Sequence, residues 1–291
     1  MSMNSKPDFP IVDTHVHLWD PQHFRMPWLD NNPILHKPFG LSDYRTHTAG
    51  IDIGAFVYVE VAVAPAYGLL EARWVVDRAN EDPRLKGIVA WAPIEFGERA
   101  RSYLDALVAI DPRIKGVRRF PEGEGSEAYG LSDAFIRGVQ LFGEYGLSFD
   151  LAAGHDKLPL AIELARRCPN TPIMLNHIAG PDIKSNMRES WWSNIRELAQ
   201  LPHVMCKVSG VVTAADREHW TLSDIAPYVE RVLEVFGEDR VAYGSDWPVM
   251  LLGAPYPRWV EALTEITAAL SPLAKRKLWA ENATRFYRLS L

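Results

Sequence analysis

Residues 11–18, IVDTHVHL, form a run of β-branched and other apolar residues that carries two histidines, His15 and His17. Side chains two positions apart on a strand point to the same face, so the two imidazoles are predicted to enter one cavity together. This run is the first of eight short apolar runs along the chain. The other seven predicted strands are residues 55–62, 87–93, 115–120, 147–152, 172–178, 204–209 and 241–245.

Amphipathic segments lie between these runs and have the 3.6-residue spacing of surface helices. They include residues 69–80, 100–110, 158–167, 225–236 and 259–270. Near-continuous apolar strands that alternate with helices are typical of a (β/α)8 barrel, in which parallel strands are buried on both faces. No linker, charge block or short repeat divides the chain, so the sequence predicts one TIM-barrel domain over residues 1–291.

The segment after the first predicted strand departs most from this regular spacing. Residues 23–50 include three prolines and are predicted to form a long irregular loop. Because the loop follows the C-terminal end of a strand, we expect it to cover the face of the barrel where active sites are built. Its aromatic residues Trp19, Trp28 and Phe39 form either a wall of that site or a separate cluster that anchors the loop.

Composition excludes several classes of protein. The chain has 31 Lys and Arg against 37 Asp and Glu, a formal net charge of −6, and no basic block, which argues against nucleic-acid binding. No signal peptide and no apolar stretch of about 18 residues are present, so we expect a cytoplasmic protein that does not bind membranes. Cys168 and Cys206 are far apart, and they predict neither a disulfide framework nor a thiolate metal site.

Two further motifs carry candidate catalytic groups. Residues 243–248, YGSDWP, place Asp246 at the tip of the eighth predicted strand, and residues 174–180, MLNHIAG, place His177 at the end of the sixth. An isolated strand-end histidine is usually a core residue, and an Asp before Trp-Pro is usually a turn former. The ends of parallel strands meet at one barrel mouth, however, so we expect both to meet the first-strand histidines. Such a group suits a metal ion or a polarised carbonyl oxygen.

The chain resembles the amidohydrolase superfamily, in the branch that holds 2-pyrone-4,6-dicarboxylate lactonase and the sugar-acid lactonases such as L-fuconolactonase and L-rhamnonolactonase. The resemblance covers almost the whole chain. The matching motifs are residues 15–19, HVHLW, the loop containing Trp28-Leu29, residues 245–248, SDWP, and residues 282–287, NATRFY. It implies a (β/α)8 barrel and a hydrolase that acts on carboxylic ester bonds.

In the superfamily, the first-strand histidines and the eighth-strand Asp usually bind a divalent metal together with a Lys or Glu of strand four and a His of strand five. Here the fourth strand is KGVRRF and the fifth is FDLAA, so both further ligands are missing; His155 lies beyond the fifth strand. The resemblance therefore implies at most one divalent ion, such as zinc. Its ligands would be His15, His17 and Asp246, and we expect activity not to require it strictly.

The implied reaction is hydrolysis of a sugar-acid lactone, with L-fuconolactone as the leading substrate. Asp246 is expected to activate water and then to return the proton, while His15, His17 and His177 polarise the lactone carbonyl. Arg119, whose strand parity is opposite to that of Arg118, is expected to face the helices and pair with an acid. The predicted substrate contacts are Arg118, Glu60, Trp28, Trp247 and Lys207, with a buried ion pair as the alternative for Glu60.

Two alternatives remain open at this stage. One is a single-metal decarboxylase, or a hydrolase of an unsaturated carboxylic acid or lactone of the pyrone-dicarboxylate type. The other is a sugar- or metal-binding barrel without catalysis, which gives no reason for a base opposite three imidazoles. The expected partner is a small molecule, and the sequence leaves the formation of a homo-oligomer open.

Overall fold

The computed structural model describes residues 6–120 and 129–291. Eight strands pair in parallel and in chain order from β1 to β8. All eight predicted strands are confirmed, with shorter bounds at several ends. The strands are β1 Ile11–Val16, β2 Ile53–Val59, β3 Leu85–Ala90, β4 Ile114–Arg119, β5 Ser148–Leu151, β6 Ile173–Leu175, β7 Val204–Val208 and β8 Val241–Tyr243.

The sheet closes where the segment after β8 meets β1. Val16 forms a parallel bridge with Trp247, and two backbone hydrogen bonds flank it. His17 N donates to Trp247 O over 2.7 Å, and Asp246 N donates to His15 O over 2.9 Å. The molecule is therefore the (β/α)8 barrel that the alternation of strands and helices predicts.

Helices follow the strands around the barrel. Helix 158–167 has the predicted bounds, and the other four predicted helices are shifted by a few residues at their ends. The helices are α1 Leu41–His47, α2 Gly68–Glu81, α3 Arg101–Val108, α4 Asp133–Tyr145, α5 Leu158–Arg167, α6 Glu189–Ala199, α7 Val211–Ala214, α8 Leu222–Phe236, α9 Tyr256–Ile266, α10 Pro272–Arg276 and α11 Asn282–Tyr287. Short 3-10 turns follow several strands, and a π-helical turn, Lys277–Glu281, joins α10 to α11.

The end signals of α4 show how local sequence sets these bounds. Ser132 precedes the helix, and its hydroxyl accepts a hydrogen bond from Phe135 N over 3.2 Å. Gly146 follows the helix with a left-handed φ of 65°, a conformation that glycine adopts without a steric penalty. A side chain that caps the first turn and a glycine after the last turn thus fix the two ends.

The segment 23–50 is more regular than the sequence predicts. It contains helix α1 and the 3-10 turn Pro27–Leu29, so the prediction of an irregular loop throughout is wrong. The start of α1 is stabilised by Asp43, whose carboxylate accepts the Gly40 N–H over 2.9 Å. The prediction of a loop rested on the three prolines of this segment. Gly40 and Asp43, three residues apart, are the capping pattern that indicates the start of the helix.

Strand β1 carries one more residue than β2 between Asp13 and Val16, where the pairing register shifts. A bulge of this kind breaks the strict alternation of side chains along a strand. Asp13 consequently contacts tyrosines of α1 and α9, while His15 contacts Lys207 of β7. At the opposite end of the barrel, Arg288 beyond α11 donates to Lys115 O near the start of β4, so the C-terminal segment lies at the amino ends of the strands.

Candidate active site

A cavity of about 380 Å³ opens at the carboxyl ends of the strands. The segments that follow β1, β2, β4, β6 and β8 contribute to its walls, as expected for the functional face of this fold. Its lining combines apolar side chains with two imidazoles, a guanidinium and a carboxylate. Its lining residues are His17, Trp28, Val61, Ala62, Arg118, Phe120, His177, Asp246 and Val249.

Left-handed backbone turns, rather than strand ends, deliver two of the four predicted catalytic groups. Strand β6 ends at Leu175 and β8 at Tyr243. His177 follows with a φ of 53° and Asp246 with a φ of 66°. Non-glycine residues rarely adopt this conformation, and the strain persists only where the surroundings hold it, often at functional sites. Both side chains enter the cavity because of these turns.

Gly210 provides the space that His177 needs. A Cβ atom at Gly210 would lie 2.8 Å from Nδ1 of His177, and Gly210 itself has a φ of 65°. Only glycine combines this backbone conformation with so close an approach. The preceding hydroxyl, Ser209 Oγ, lies 2.9 Å from His177 Nδ1 and fixes the ring by a hydrogen bond. Ser209 therefore orients His177 from outside the cavity lining.

The four predicted catalytic side chains meet at one point. Asp246 Oδ1 lies 3.4 Å from His17 Nε2, 3.7 Å from His15 Nε2 and 3.9 Å from His177 Nε2. The Nε2 atoms of His15 and His17 lie 3.2 Å apart. Among the described residues, no side chain or backbone N–H donates a conventional hydrogen bond to the Asp246 carboxylate. This acid thus has unused acceptor capacity where a substrate or a water molecule can approach.

The three imidazoles are neutral near pH 7. Burial and, to a lesser extent, the charge of Arg118 lower the pKa of His17 to about 3. Burial likewise lowers the pKa of His177 to about 4, although a quarter of its side chain is exposed. The pKa of His15 is lowered well below its usual value by burial and by Lys207. Burial raises the pKa of Asp246, against the opposing effect of His177 and the charges of Arg118 and Lys207.

The hydrogen-bond network assigns the protons of the histidine pair. Lys207 Nζ donates to Asp150 Oδ2 over 2.8 Å and lies 3.2 Å from His15 Nδ1. An ammonium group can only donate, so His15 Nδ1 accepts and the proton of this ring lies on Nε2. His15 then donates to His17 Nε2, and His17 donates through Nδ1 to Val59 O over 2.7 Å. A chain of donors thus leads from Lys207 to β2.

Arg118 is held by Glu60 and faces the cavity. Its Nε donates to Glu60 Oε1 over 2.5 Å, and its Nη2 donates to the backbone oxygen of Glu60 over 2.6 Å. The third nitrogen, Nη1, donates no hydrogen bond to any residue that the structure describes. Arg119 faces the other side, as its parity predicts, and its guanidinium donates to Glu95 over 2.6 Å. The ion pair between Glu60 and Arg118 is the buried pair that the sequence left open as the alternative role of Glu60.

Trp28 is the aromatic residue of the long segment that lines the cavity. Its indole N–H donates to Val61 O over 2.7 Å, and its ring lies 5.4 Å from that of Trp19. Trp19 and Phe39 are buried beside each other and do not line the cavity. The aromatic residues thus form both structures that the sequence left open, a wall at Trp28 and an anchoring cluster behind it.

Three predicted substrate contacts, Glu60, Lys207 and Trp247, do not line the cavity. Glu60 is buried and is bonded to Arg118. Lys207 is fully buried and is bonded to Asp150 and His15. Trp247 is also buried, and its indole donates to His47 over 2.8 Å. Strand parity indicates which face of the sheet a side chain points to. It does not indicate how far along the barrel axis the side chain lies from the cavity. Sequence reasoning also missed Val61, Ala62 and Val249, which have no chemical signal and line the cavity through their backbone position.

The donor atoms fit a single divalent ion. Zinc at about 2.0–2.1 Å from its ligands in a tetrahedron needs donor atoms about 3.4 Å apart. The separations among His15 Nε2, His17 Nε2 and Asp246 Oδ1 are 3.2, 3.4 and 3.7 Å. Ligand atoms of His15, His177 and Asp246 also lie within 4.8 Å of one another. His15 would have to carry its proton on Nδ1, facing Lys207, to bind an ion through Nε2.

A second ion has no comparable ligand set in residues 6–120 and 129–291. The fifth strand offers Asp150, but its carboxylate accepts hydrogen bonds from Lys207 and from Tyr287. His155 donates from Nδ1 to Gly180 O over 2.9 Å, and it does not line the cavity. In the part of the chain that the structure describes, the group of His15, His177 and Asp246 is the candidate ligand set.

The barrel brings imidazoles and a carboxylate together at the carboxyl ends of its strands, and such groups can polarise a carbonyl and activate water. The family model described as "Amidohydrolase" matches residues 12–289. The chain therefore belongs to the amidohydrolase family.

Two lactonases are similar to this chain over almost its whole length. The chain is 28% identical over 294 residues to an L-fucono-1,5-lactonase of Burkholderia multivorans, covering 96% of both chains. It is 27% identical over 283 residues to an L-fucono-1,5-lactonase of Burkholderia ambifaria, covering 96% of this chain and 95% of the relative. These relatives are consistent with a lactone-hydrolysing enzyme of the carboxylic ester hydrolase class, as the sequence predicts.

A solved structure of similar shape is an amidohydrolase from Burkholderia multivorans with bound zinc. It has a TM-score of 0.87 and 26% identity, and the alignment covers 97% of this chain and 100% of that one. Among the described residues, no helix is both long and apolar enough to cross a bilayer.

Proposed function

We propose that the protein hydrolyses a neutral sugar-acid lactone to the free acid, with L-fuconolactone as the leading substrate. The observation that carries the proposal is the meeting of Asp246 with three neutral imidazoles, at 3.4–3.9 Å, beside an open cavity. A carboxylate that lacks hydrogen-bond donors is a base with capacity to accept a proton. The lactonase relatives support the same reaction.

The reaction needs a base, carbonyl polarisation and a proton for the leaving oxygen. Asp246 takes a proton from water as the water oxygen attacks the lactone carbonyl carbon. The ring C–O bond then breaks, and Asp246 returns the proton to the leaving alkoxide, which gives an open-chain hydroxy acid. A positioned base contributes about 10²- to 10⁴-fold to such a step.

Two groups are suited to polarise the carbonyl directly. With Ser209 donating to Nδ1, His177 carries its proton on Nε2, which faces the cavity. Arg118 directs Nη1 to the same space. A single donor of this kind contributes about 10²- to 10³-fold. His15 and His17 complete the group and would hold a divalent ion together with Asp246; when bound, the ion supplies Lewis-acid polarisation of the carbonyl.

The charges at the cavity favour a neutral ring over a dicarboxylate. Among the described lining residues, Arg118 is the permanent cation, and Glu60 balances its charge. The imidazoles are neutral, and Asp246 adds a negative charge. A pyrone dicarboxylate would need several cations to hold its two carboxylates. A neutral lactone meets no such requirement, and its anionic product is repelled by Asp246.

The apolar residues of the cavity support a deoxy sugar. Trp28, Val61, Phe120 and Val249 contribute apolar side chains to a lining that also carries polar groups. Apolar lining residues suit the C–H face of a sugar ring and a methyl substituent, whereas the polar groups are suited to bind hydroxyls and the carbonyl. The deoxy-sugar lactones L-fuconolactone and L-rhamnonolactone combine these features.

A lactone panel tests the proposal. The purified protein is incubated with L-fuconolactone, L-rhamnonolactone, other aldonolactones and pyrone dicarboxylate in a weakly buffered pH-indicator solution, with and without EDTA. We expect acid release from a deoxy-sugar lactone and retention of activity with EDTA. Loss of activity with EDTA and recovery with zinc would show strict metal dependence. Acid release from none of the lactones, or carbon dioxide release from an unsaturated acid, would overturn the proposal.

A further inference from the structure

Residues 59–62, which begin at the last residue of β2, hold three side chains of the candidate active site by hydrogen bonds. Val59 O accepts the Nδ1–H of His17 over 2.7 Å. Glu60 accepts two hydrogen bonds from the Arg118 guanidinium, through its carboxylate and its backbone oxygen. Val61 O accepts the indole N–H of Trp28 over 2.7 Å. We name residues 59–62 the β2 turn, since its geometry sets the direction of groups from three different elements.

The β2 turn has a strained backbone that needs external support. Ala62 has a φ of 51°, in the left-handed region that alanine rarely adopts. Its N–H donates to Glu60 Oε2 over 2.6 Å. Strain of this kind persists only where surrounding contacts determine the conformation. The contact with Glu60 lies within the turn and does not tie the turn to the rest of the fold.

Glu71 of helix α2 provides that contact. Its Oε1 atom accepts hydrogen bonds from Val61 N over 2.9 Å and from the Tyr58 hydroxyl over 2.7 Å. The side chain is buried, with 2% of the residue exposed, and it does not line the cavity. Burial, followed by the charge of Glu60, raises the pKa of Glu71 to about 8. A protonated carboxyl with one acceptor oxygen is closely imitated by the amide of glutamine.

We propose that Glu71 is a positioning residue. Through Val61 N and Tyr58 it fixes the β2 turn, and thereby the directions in which His17, Arg118 and Trp28 enter the cavity. Glu71 touches neither the substrate nor the reacting atoms. The role extends the proposed function, because it assigns part of the catalytic geometry to a helix outside the cavity.

The test compares Glu71→Gln with Glu71→Leu. Glutamine keeps the acceptor for Val61 N and Tyr58, whereas leucine has a similar volume and removes it. We expect kcat/KM on the best lactone to stay within about threefold of the wild type for Glu71→Gln. For Glu71→Leu we expect a fall of about 10- to 100-fold, since a misplacement of about 1 Å can reduce a rate by about 10²-fold. Tyr58→Phe, which removes one of the two hydrogen bonds, should give a smaller fall and serves if Glu71→Leu does not fold.

Val75→Ala is the matched control for stability. Val75 is a fully buried residue of the same helix. Its side chain has no hydrogen-bonding group, so it cannot replace or disturb the acceptor that Glu71 offers to the β2 turn. Its truncation is expected to lower the melting temperature while leaving kcat/KM unchanged at temperatures where the protein is folded. A loss of kcat/KM in Val75→Ala equal to that in Glu71→Leu would show that helix stability, rather than the acceptor, is responsible, and would overturn the proposal.

A second readout does not depend on catalysis. In protein labelled with ¹⁵N-histidine, the His17 signals are assigned from their absence in His17→Gln, and they report the Nδ1–H tautomer that donates to Val59 O. We expect the population of this tautomer to be unchanged in Glu71→Gln and to be lower in Glu71→Leu. Unchanged His17 signals in a folded Glu71→Leu would contradict the positioning role. If no lactone is hydrolysed by the wild type, the proposed function fails, and these signals still decide the role of Glu71.

Discussion

Two buried aspartates of the barrel, Asp13 and Asp246, have opposite surroundings. The Asp13 carboxylate accepts hydrogen bonds from Ser245 N and His15 N and from the hydroxyls of two tyrosines, over 2.8–3.2 Å. The Asp246 carboxylate has imidazole nitrogens at 3.4–3.9 Å and no conventional donor among the described residues. Burial raises the pKa of both acids. At Asp13 this rise is opposed by hydrogen bonds, and at Asp246 it is opposed by the electrostatic effects of His177, Arg118 and Lys207.

This difference supports a structural role for Asp13 and the proposed catalytic role for Asp246. Buried polar groups are normally satisfied, so an acid that is buried, strained in its backbone and short of donors has its acceptors available for another molecule. Both aspartates are almost fully buried, with 0% and 5% of the residue exposed. Burial alone therefore does not distinguish them, whereas the number of donors does. The same substitution at the two positions should have opposite consequences.

The largest expected effect is on catalysis at Asp246. Asp246→Asn removes the base and keeps the shape, so kcat on the best lactone should fall about 10²- to 10⁴-fold with KM nearly unchanged. Steady-state kinetics on the pH-indicator assay measures the change. Turnover near that of the wild type would end the assignment of Asp246 as the base.

The next largest effect is on stability at Asp13. Asp13→Asn replaces an acceptor of four hydrogen bonds by an amide with one acceptor oxygen, which leaves buried donors unpaired at about 1–3 kcal/mol each. We expect the free energy of unfolding to fall by about 3 kcal/mol, while kcat stays near the wild-type value in the folded protein. Urea titration followed by circular dichroism gives the first quantity. An unchanged urea midpoint would contradict a structural role for this acid.

The neutral imidazoles around Asp246 predict a loss of stability in acid. The pKa of His17 is about 3 in the folded protein and about 6.5 in the unfolded chain, so the unfolded state binds more protons below pH 6.5. The free energy of unfolding should therefore fall as the pH drops from about 6.5 towards 3, by up to about 1.4 kcal/mol per pH unit for this histidine.

The titration of other groups requires a difference measurement. Glu71, whose pKa is about 8 when folded, changes stability in the opposite direction over the same pH range. Urea unfolding at pH 7, 6 and 5 is therefore compared between the wild type and His17→Gln. The variant should show a shallower decrease. Parallel curves for the two proteins would indicate that the pKa of His17 is not lowered in the folded state.

The smallest expected effect concerns Ser209. Ser209→Ala removes the hydroxyl that lies 2.9 Å from His177 Nδ1 and leaves the imidazole in place. Loss of one orienting hydrogen bond, worth about 0.5–1.5 kcal/mol, should lower kcat about 2- to 10-fold without changing stability appreciably. The adjacent Val208→Ala, a truncation in the core, is the control that lowers stability instead. A loss of kcat as large as that of Asp246→Asn would show that Ser209 acts on the substrate.

The sequence predicted the fold and the meeting of the four groups because both follow from periodicity. Near-continuous apolar runs specify buried parallel strands, and the carboxyl ends of such strands meet at one face of a barrel. His15 lies in β1, and His17, His177 and Asp246 follow β1, β6 and β8 within a few residues, so proximity to the strand ends was enough to predict a common mouth. The helix at residues 41–47 was missed although Gly40 and Asp43 carried a capping signal.

Three features could not be predicted from the sequence: how deep a side chain lies in the barrel, the backbone conformation of the site residues, and the hydrogen-bond partners of each acid. Lys207 has the parity of an inward-facing residue, yet it lies beneath the cavity on Asp150. The left-handed φ of His177 and of Asp246 depends on contacts made far along the chain. The contrast between Asp13 and Asp246 likewise cannot be read from the sequence, since two of the four donors to Asp13, Ser245 and Tyr256, lie more than 200 residues away along the chain.

The most direct test of this contrast is the free energy of unfolding of Asp246→Asn, measured by urea titration on the same sample that is assayed for kcat. An acid held by no native donor should lose nothing on becoming an amide, and asparagine tolerates a left-handed φ better than most residues. We predict an unfolding free energy equal to or above that of the wild type, together with the collapse of kcat. A decrease of about 2 kcal/mol or more, with kcat retained, would show that Asp246 is a structural acid like Asp13.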